Sequence, residues 1–219
     1  MTHHPVEVEL KYAATPEALL ELAGATVLGP ATLETGVVND ETDAYLDTAA
    51  HHLAAAGWAC RLRTRRVAGA SRTFVSLKGP PAAAAGALHR RPEIEGPAVD
   101  DPDPTSWPAS PARDLVDRLR DGDELVPRVM LEQRRFERPV LVDGERIGTL
   151  SLDDVTVLHH GEKLGGFGAV ELELVTGGDE RLLDGLAAAL AARPGLVADE
   201  RSKLEHALAL AGAAEGARH

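Results

Sequence analysis

Residues 6–11 read Val-Glu-Val-Glu-Leu-Lys, with an acid or base at every second position and an apolar residue between. A period of two is the period of a β-strand, whose successive side chains point to opposite faces. Glu7, Glu9 and Lys11 therefore share one face, and Val6, Val8 and Leu10 the other. The period returns around Arg61, Arg63 and Arg65, at Phe74, Ser76 and Lys78, and at Arg91, Glu93 and Glu95. It appears again at Thr149, Ser151 and Asp153, and at Glu171 and Glu173. Strands that hide apolar residues on one face and repeat acids and bases on the other predict a sheet curved around a polar interior. An ordinary small barrel fills its interior with apolar side chains.

Between these segments the chain is punctuated by turn and helix signals. Thr15-Pro16-Glu17 starts a helix running to about Ala23, with Gly24 as its stop. Short strands are expected over 26–39 and 43–48, then a short helix or loop over 49–56, then strands over 58–66 and 73–78. Residues 79–86 are low in complexity and read as a mobile loop. A strand follows over 89–95, and the proline-rich stretch 96–111 reads as an exposed connection. Residues 79–112 together form the expected flexible region. Ser110-Pro111 opens a second helix that ends at Gly122. Strands over 126–142 and 147–155 are joined by Asp143-Gly144, a type I′ hairpin signal. Residues 159–168 read as a glycine-rich connection, 169–174 as a strand, and about 179–192 and 199–213 as closing helices. The expected fold is α+β and mainly antiparallel: one domain over 1–219 with helices packed outside a closed or curved sheet.

The acids carry chemistry. Glu7/Glu9, Glu93/Glu95 and Glu171/Glu173 are three Glu-x-Glu pairs, each on a predicted strand, and Asp153 lies on a fourth. Any one pair alone is best read as the wet face of an edge strand. Three pairs facing one interior cannot all stay ionised without cations. Hard divalent ions such as Mg²⁺ or Mn²⁺, which take oxygen ligands, answer that need. Lys11, Arg61, Arg63, Lys78 and Arg134 fall on predicted strands too, and such cations opposite a bound metal suit a polyphosphate.

Bulk properties exclude other classes. The net charge of −12 argues against nucleic acid as a partner. Cys60 is the only cysteine, so neither an internal disulfide nor a cysteine metal site is available. Neither a signal peptide nor an apolar run of membrane-spanning length is evident, so a cytoplasmic protein with no membrane partner is expected. The sequence leaves a homodimer open.

In these residues the chain resembles the CYTH, or triphosphate tunnel metalloenzyme, superfamily. Glu7-Val8-Glu9-Leu10-Lys11 resembles its E-x-E-x-K signature and Tyr45-Leu46-Asp47-Thr48 its Y-x-D-T segment. Arg61-Leu62-Arg63 is similar to its R-x-R strand, Leu77-Lys78 to its L-K strand, and Arg91-Pro92-Glu93-Ile94-Glu95 to R-x-E-x-E. Arg134, Leu152-Asp153, Glu171-Leu172-Glu173 and Ser202-Lys203 continue the match in order. The resemblance implies an eight-stranded antiparallel tunnel that binds triphosphates with divalent metal. It makes Glu7, Glu9, Glu171 and Glu173 metal ligands, with Asp153, Glu93 and Glu95 as added ligands or water-positioning groups. It gives Lys11, Arg61, Arg63, Lys78, Arg134 and Lys203 the phosphate oxygens, and puts Glu7, Glu9, Lys11 and Arg134 at the chemistry.

One position departs from the family pattern. Where members often carry a lysine two residues before the base aligned with Arg134, this chain has Glu132, followed by Gln133. Either Arg135 is the matching base or the chain lacks that group. The expected function is metal-dependent hydrolysis of inorganic triphosphate to pyrophosphate and phosphate. The scarcity of aromatic residues, 3%, weighs against an organic substrate. Thiamine triphosphate hydrolysis, cyclisation of ATP and capture of a polyphosphate without turnover are the rivals.

Overall fold

The computed structural model describes residues 5–67, 69–81 and 83–216. Residue 82, inside the expected 79–86 loop, lies outside them. The strands are β1 (Val6–Ala14), β2 (Val27–Leu28), β3 (Ala31–Leu33), β4 (Val37–Thr48), β5 (Ala59–Val67) and β6 (Ala70–Lys78). The second half adds β7 (Ala83–Ala85), β8 (Leu88–Ala98), β9 (Leu125–Val142), β10 (Glu145–His159), β11 (Glu162–Leu174) and β12 (Leu196–Ala198). The helices are α1 (Pro16–Gly24), α2 (His52–Ala55), α3 (Pro111–Leu119), α4 (Leu182–Ala191) and α5 (Lys203–Gly216).

Eight strands close a ring in the order β1-β8-β6-β5-β4-β9-β10-β11 and back to β1, every neighbouring pair antiparallel. Closure removes the sheet edges that would otherwise stay unpaired. The local signals act as physics demands. Thr15 accepts a hydrogen bond from the Ala18 amide to cap α1, and Ser110 does the same for Arg113 at the start of α3. Asp143 (φ 52°) and Gly144 (φ 82°) make the turn between β9 and β10.

The apolar residues divide into three cores. Two lie outside the ring. Leu10, Leu150, Leu172 and their neighbours pack under α1 and α4. Leu62, Val75, Leu77 and Cys60 pack under α2 and α3. The third lies at one end of the ring, where Tyr45, Val129, Leu131, Val155 and Val157 meet Ala207, Leu204 and Leu210 of α5. That helix plugs the ring with apolar side chains.

Two expectations change. Within the proline-rich stretch, Trp107 is almost completely buried in the second outer core, and its indole N–H donates to the Asp101 carbonyl. The connection therefore carries a core anchor, and strand β8 runs on to Ala98. The glycine-rich connection over 159–168 is mostly strand β11, because Gly166 and Gly168 pack directly on the backbones of β10 and β1.

Candidate active site

The ring turns its alternating charged residues inward, and cross-strand register sets which of them meet. Glu7 lies opposite Arg91, Lys11 opposite Glu171, and Glu93 opposite Lys78. Asp43 lies opposite Arg63, and Asp153 opposite Arg135. Acid faces base around most of the ring, the arrangement that stabilises a strand pair. The exception is Glu9, which faces Glu173.

These side chains surround a cavity of about 270 Å³. Its wall includes Glu7, Lys11, Arg61, Arg63, Lys78, Glu93, Glu95, Glu171, Glu173 and Lys203. Glu9 and Asp153 are buried against that wall. Arg91 donates to Glu9 at 3.1 Å, and Arg135 and Lys203 donate to Asp153 at 2.7 and 2.6 Å.

Part of the interior is charge-compensated. Arg63 grips Asp43 with two 2.6 Å hydrogen bonds, and Arg135 grips Asp153 in the same two-pronged way. Glu171 accepts from Arg135 at 2.7 Å and from Lys203 at 3.0 Å. Burial alone would push these carboxyls up, but the guanidinium and ammonium groups beside Asp43, Asp153 and Glu171 hold all three below the usual range. Burial is likewise outweighed at Glu7, which Lys78 at 2.8 Å and Arg91 hold at about 2.

The rest is not compensated. Partial desolvation and the nearby Glu7 carboxylate push both Glu93 and Glu173 up to about 7, with the Glu173 side chain still largely open to water. Two cations also keep donors to spare. Arg61 lies 3.8 Å from Asp43 and from Glu93 and donates from Nε to Ser76, while Lys11 lies 3.9 Å from Glu171. Burial lowers the Lys11 pKa.

The carboxylate set fits a hard divalent cation. Glu7, Glu9, Glu93, Glu95 and Glu173 supply oxygen donors, and like charges face each other at Glu9 and Glu173. A cation there would relieve the repulsion that raises Glu93 and Glu173. Asp153 and Glu171 are already neutralised by Arg135 and Lys203, and Glu7 by Lys78 and Arg91, so the uncompensated carboxyls are Glu93 and Glu173.

One predicted residue lies elsewhere. Arg134 is exposed on the outer face of β9, opposite Asp154 of β10, whereas Arg135 is buried and points inward. The base belonging to this strand is therefore Arg135, and the position two residues before it is Gln133, not Glu132. Glu132 is exposed. Gln133 is buried, and its amide nitrogen donates to Glu41 at 2.8 Å and to Asp43 at 3.1 Å. Its amide oxygen has no hydrogen-bond partner among the described residues.

The interior also holds residues to which the sequence assigned no role. Arg65 bridges Glu41 and Glu137, and Arg91 joins Glu7 to Glu9. The signal for them was present: Arg65 continues the period of Arg61 and Arg63, and Arg91 that of Glu93 and Glu95. Glu41 and Asp43 extend the inward face of Tyr45 by the same count of two.

Comparison with known proteins gives the same frame. The CYTH domain profile matches residues 5–208. Among curated proteins none matches the chain. Among solved structures, a putative adenylyl cyclase from Hippeastrum, described as having a dominant triphosphatase activity, aligns with a TM-score of 0.65 at 24% identity. The alignment covers 93% of this chain and 95% of that one. The PH1819 protein of Pyrococcus horikoshii OT3 aligns at 0.58 and 22% identity, over 93% and 98%. A Mimivirus capping enzyme triphosphatase aligns at 0.51 and 11% identity, over 84% and 87%. At these identities the structural likeness speaks for the fold, and the profile match across nearly the whole chain speaks for the family. The ring of eight strands, its charged interior and that match together place the chain in the CYTH domain family.

Proposed function

We propose that this chain hydrolyses a triphosphate with the help of Mg²⁺ or Mn²⁺, and that its substrate is inorganic triphosphate. The observation that carries this reading is the convergence of eight lysine and arginine side chains and six carboxylates on one cavity. A compact polyanion with bound cations needs both kinds of group. Tyr45 and Phe74 are the cavity's aromatic lining residues, set among charged side chains. That polar lining favours the inorganic compound over one carrying an organic group.

Lys11 and Arg61, with donors to spare, take the first phosphate oxygens. Lys78, Arg135 and Lys203 exchange a carboxylate partner for a phosphate oxygen as the substrate seats. Glu7, Glu9 and Glu173 would hold the metal, which would supply Lewis-acid charge against the phosphate oxygens. Glu93, a carboxylate on the cavity wall, accepts the proton of a water whose oxygen attacks the terminal phosphorus. The bridging P–O bond breaks and pyrophosphate leaves. The cations around the site offset the charge that develops.

The test is phosphate and cyclic AMP release from triphosphate, ATP and thiamine triphosphate in turn, each with Mg²⁺ or Mn²⁺. Triphosphate is expected to be hydrolysed fastest, and Glu9→Gln to remove the metal-dependent turnover. Full activity in Glu9→Gln refutes the ligand assignment. Gln133 supports a second reading, a polyphosphate-binding module, because an amide cannot offer the positive charge of the family's lysine at that position. Tight binding with turnover of none of the three compounds would establish it.

A further inference from the structure

We infer that His159, His160 and Glu215 form a binding site for one borderline divalent transition-metal ion, of which Zn²⁺ is the type, at the end of the ring that α5 closes. The three residues come from two elements. His159 ends β10, His160 begins the turn into β11, and Glu215 stands in the last turn of α5.

Adjacent residues of a strand point to opposite faces, so neighbouring histidines seldom converge. Here the alternation is broken. His160 (φ 50°) and Gly161 (φ 80°) both take the left-handed conformation of a tight hairpin turn, which brings the two imidazoles to a centroid distance of 4.0 Å. Each of the three residues then offers a ligand atom within 4.8 Å of the others.

The geometry of His159 is that of a metal ligand. Its Nδ1 lies 3.0 Å from the Arg128 carbonyl oxygen, an acceptor, so Nδ1 donates there and Nε2 is the nitrogen left to face a metal ion. A histidine ligand is characteristically oriented in this way, by a carbonyl on its other nitrogen. Nε2 faces Glu215 Oε1 at 3.2 Å. Two tetrahedral ligands at Zn–N and Zn–O distances of roughly 2.0–2.2 Å stand about 3.3–3.5 Å apart. The His159–Glu215 pair is thus nearly set for a shared ion, and the exposed His160 ring closes the set by side-chain rotation. Two imidazoles and one carboxylate leave a fourth position for water. Imidazole selects Zn²⁺, Ni²⁺ or Cu²⁺ over Mg²⁺, so this site and the all-oxygen tunnel site take different ions. A bound ion would pin the end of the plug helix α5 to the β10–β11 turn.

The experiment is titration of the full chain with ZnCl₂ by calorimetry, with saturating Mg²⁺ present to hold the tunnel carboxylates, followed by thermal unfolding. One Zn²⁺ is expected to bind and raise Tm. The visible spectrum with Co²⁺ in its place should show histidine-bound, four-coordinate cobalt. His160→Ala and Glu215→Gln, both at exposed positions, should each weaken Zn²⁺ by at least the roughly 10–100-fold that loss of a supporting ligand contact costs, with Mg²⁺-dependent turnover unchanged. Equal Zn²⁺ affinity in parent and both variants, or no Zn²⁺ uptake, overturns the inference and leaves an ion pair only between His159 and Glu215.

Discussion

Adjacent arginines at 134 and 135 show what a single residue decides. Both are basic, and a strand gives them opposite fates. Counting by twos from Val129 and Leu131, which line the plugged end, leads to Gln133 and then Arg135. The outward series runs through Met130 and Glu132 to Arg134. The charge at this position was legible in the sequence. Which arginine carried it was not, because the face of β9 depends on its pairing with β4 and β10. The difference is measurable. Arg135→Ala strips Asp153 and Glu171 of a buried partner, and should cost about 3–5 kcal/mol of stability along with the turnover. Arg134→Ala removes an exposed charge and should stay within about 0.5 kcal/mol of the parent, with activity retained. Urea midpoints and phosphate release on the two variants check this, and equal effects would refute the inward assignment of Arg135.

At the scale of elements, strands with strict alternation announced themselves, and β11 was only half legible. Its charged end, Glu171 and Glu173, was plain. Its glycine end looked like a loop, since Gly165, Gly166 and Gly168 carry no side chain to reveal a face. The packing supplies the reason for those glycines. A Cβ at Gly168 would press into the Ala14 carbonyl oxygen of β1, and one at Gly166 into that of Val155 on β10. Both obstacles are backbone, which cannot swing aside. Gly168→Ala should therefore destabilise the protein by roughly 1–3 kcal/mol, the range for forced overpacking. A chemical denaturation midpoint unchanged from the parent would mean that the close approach of β11 to β1 carries no constraint. The plug helix α5 was expected as a helix, but its docking at the ring's end was hidden. Nothing in the pattern of Leu204, Ala207 and Leu210 says whether they meet the outside of a sheet or the end of a ring.

At the scale of the whole molecule, closing the ring gathers charges that are far apart in sequence, and that sets how stability responds to pH. In the metal-free chain Glu93 and Glu173 hold their protons up to about 7, while in the unfolded chain they release them near 4.5. Between those values the folded state binds more protons than the unfolded one, so stability falls as pH rises through the window. Glu7, Asp43, Asp153 and Glu171 are shifted the opposite way. Their contribution is present above the unfolded carboxyl value, and is lost as pH falls through their lowered folded values. The metal-free protein should accordingly be most stable close to pH 4.5–5 and weaken by on the order of 1–3 kcal/mol towards pH 7, a figure held down because Glu173 is substantially open to water. A divalent ion favours the ionised carboxylates, so Mg²⁺ should flatten or reverse that slope. Urea unfolding at pH 5 and pH 7, in EDTA and in Mg²⁺, reads both arms. The doubly substituted Glu93→Gln, Glu173→Gln chain should lose the EDTA slope, which assigns that slope to these two carboxyls. Greater stability at pH 7 than at pH 5 in EDTA would mean that the acids of the ring are already balanced by its arginines and lysines, and that the interior has no standing need for a cation.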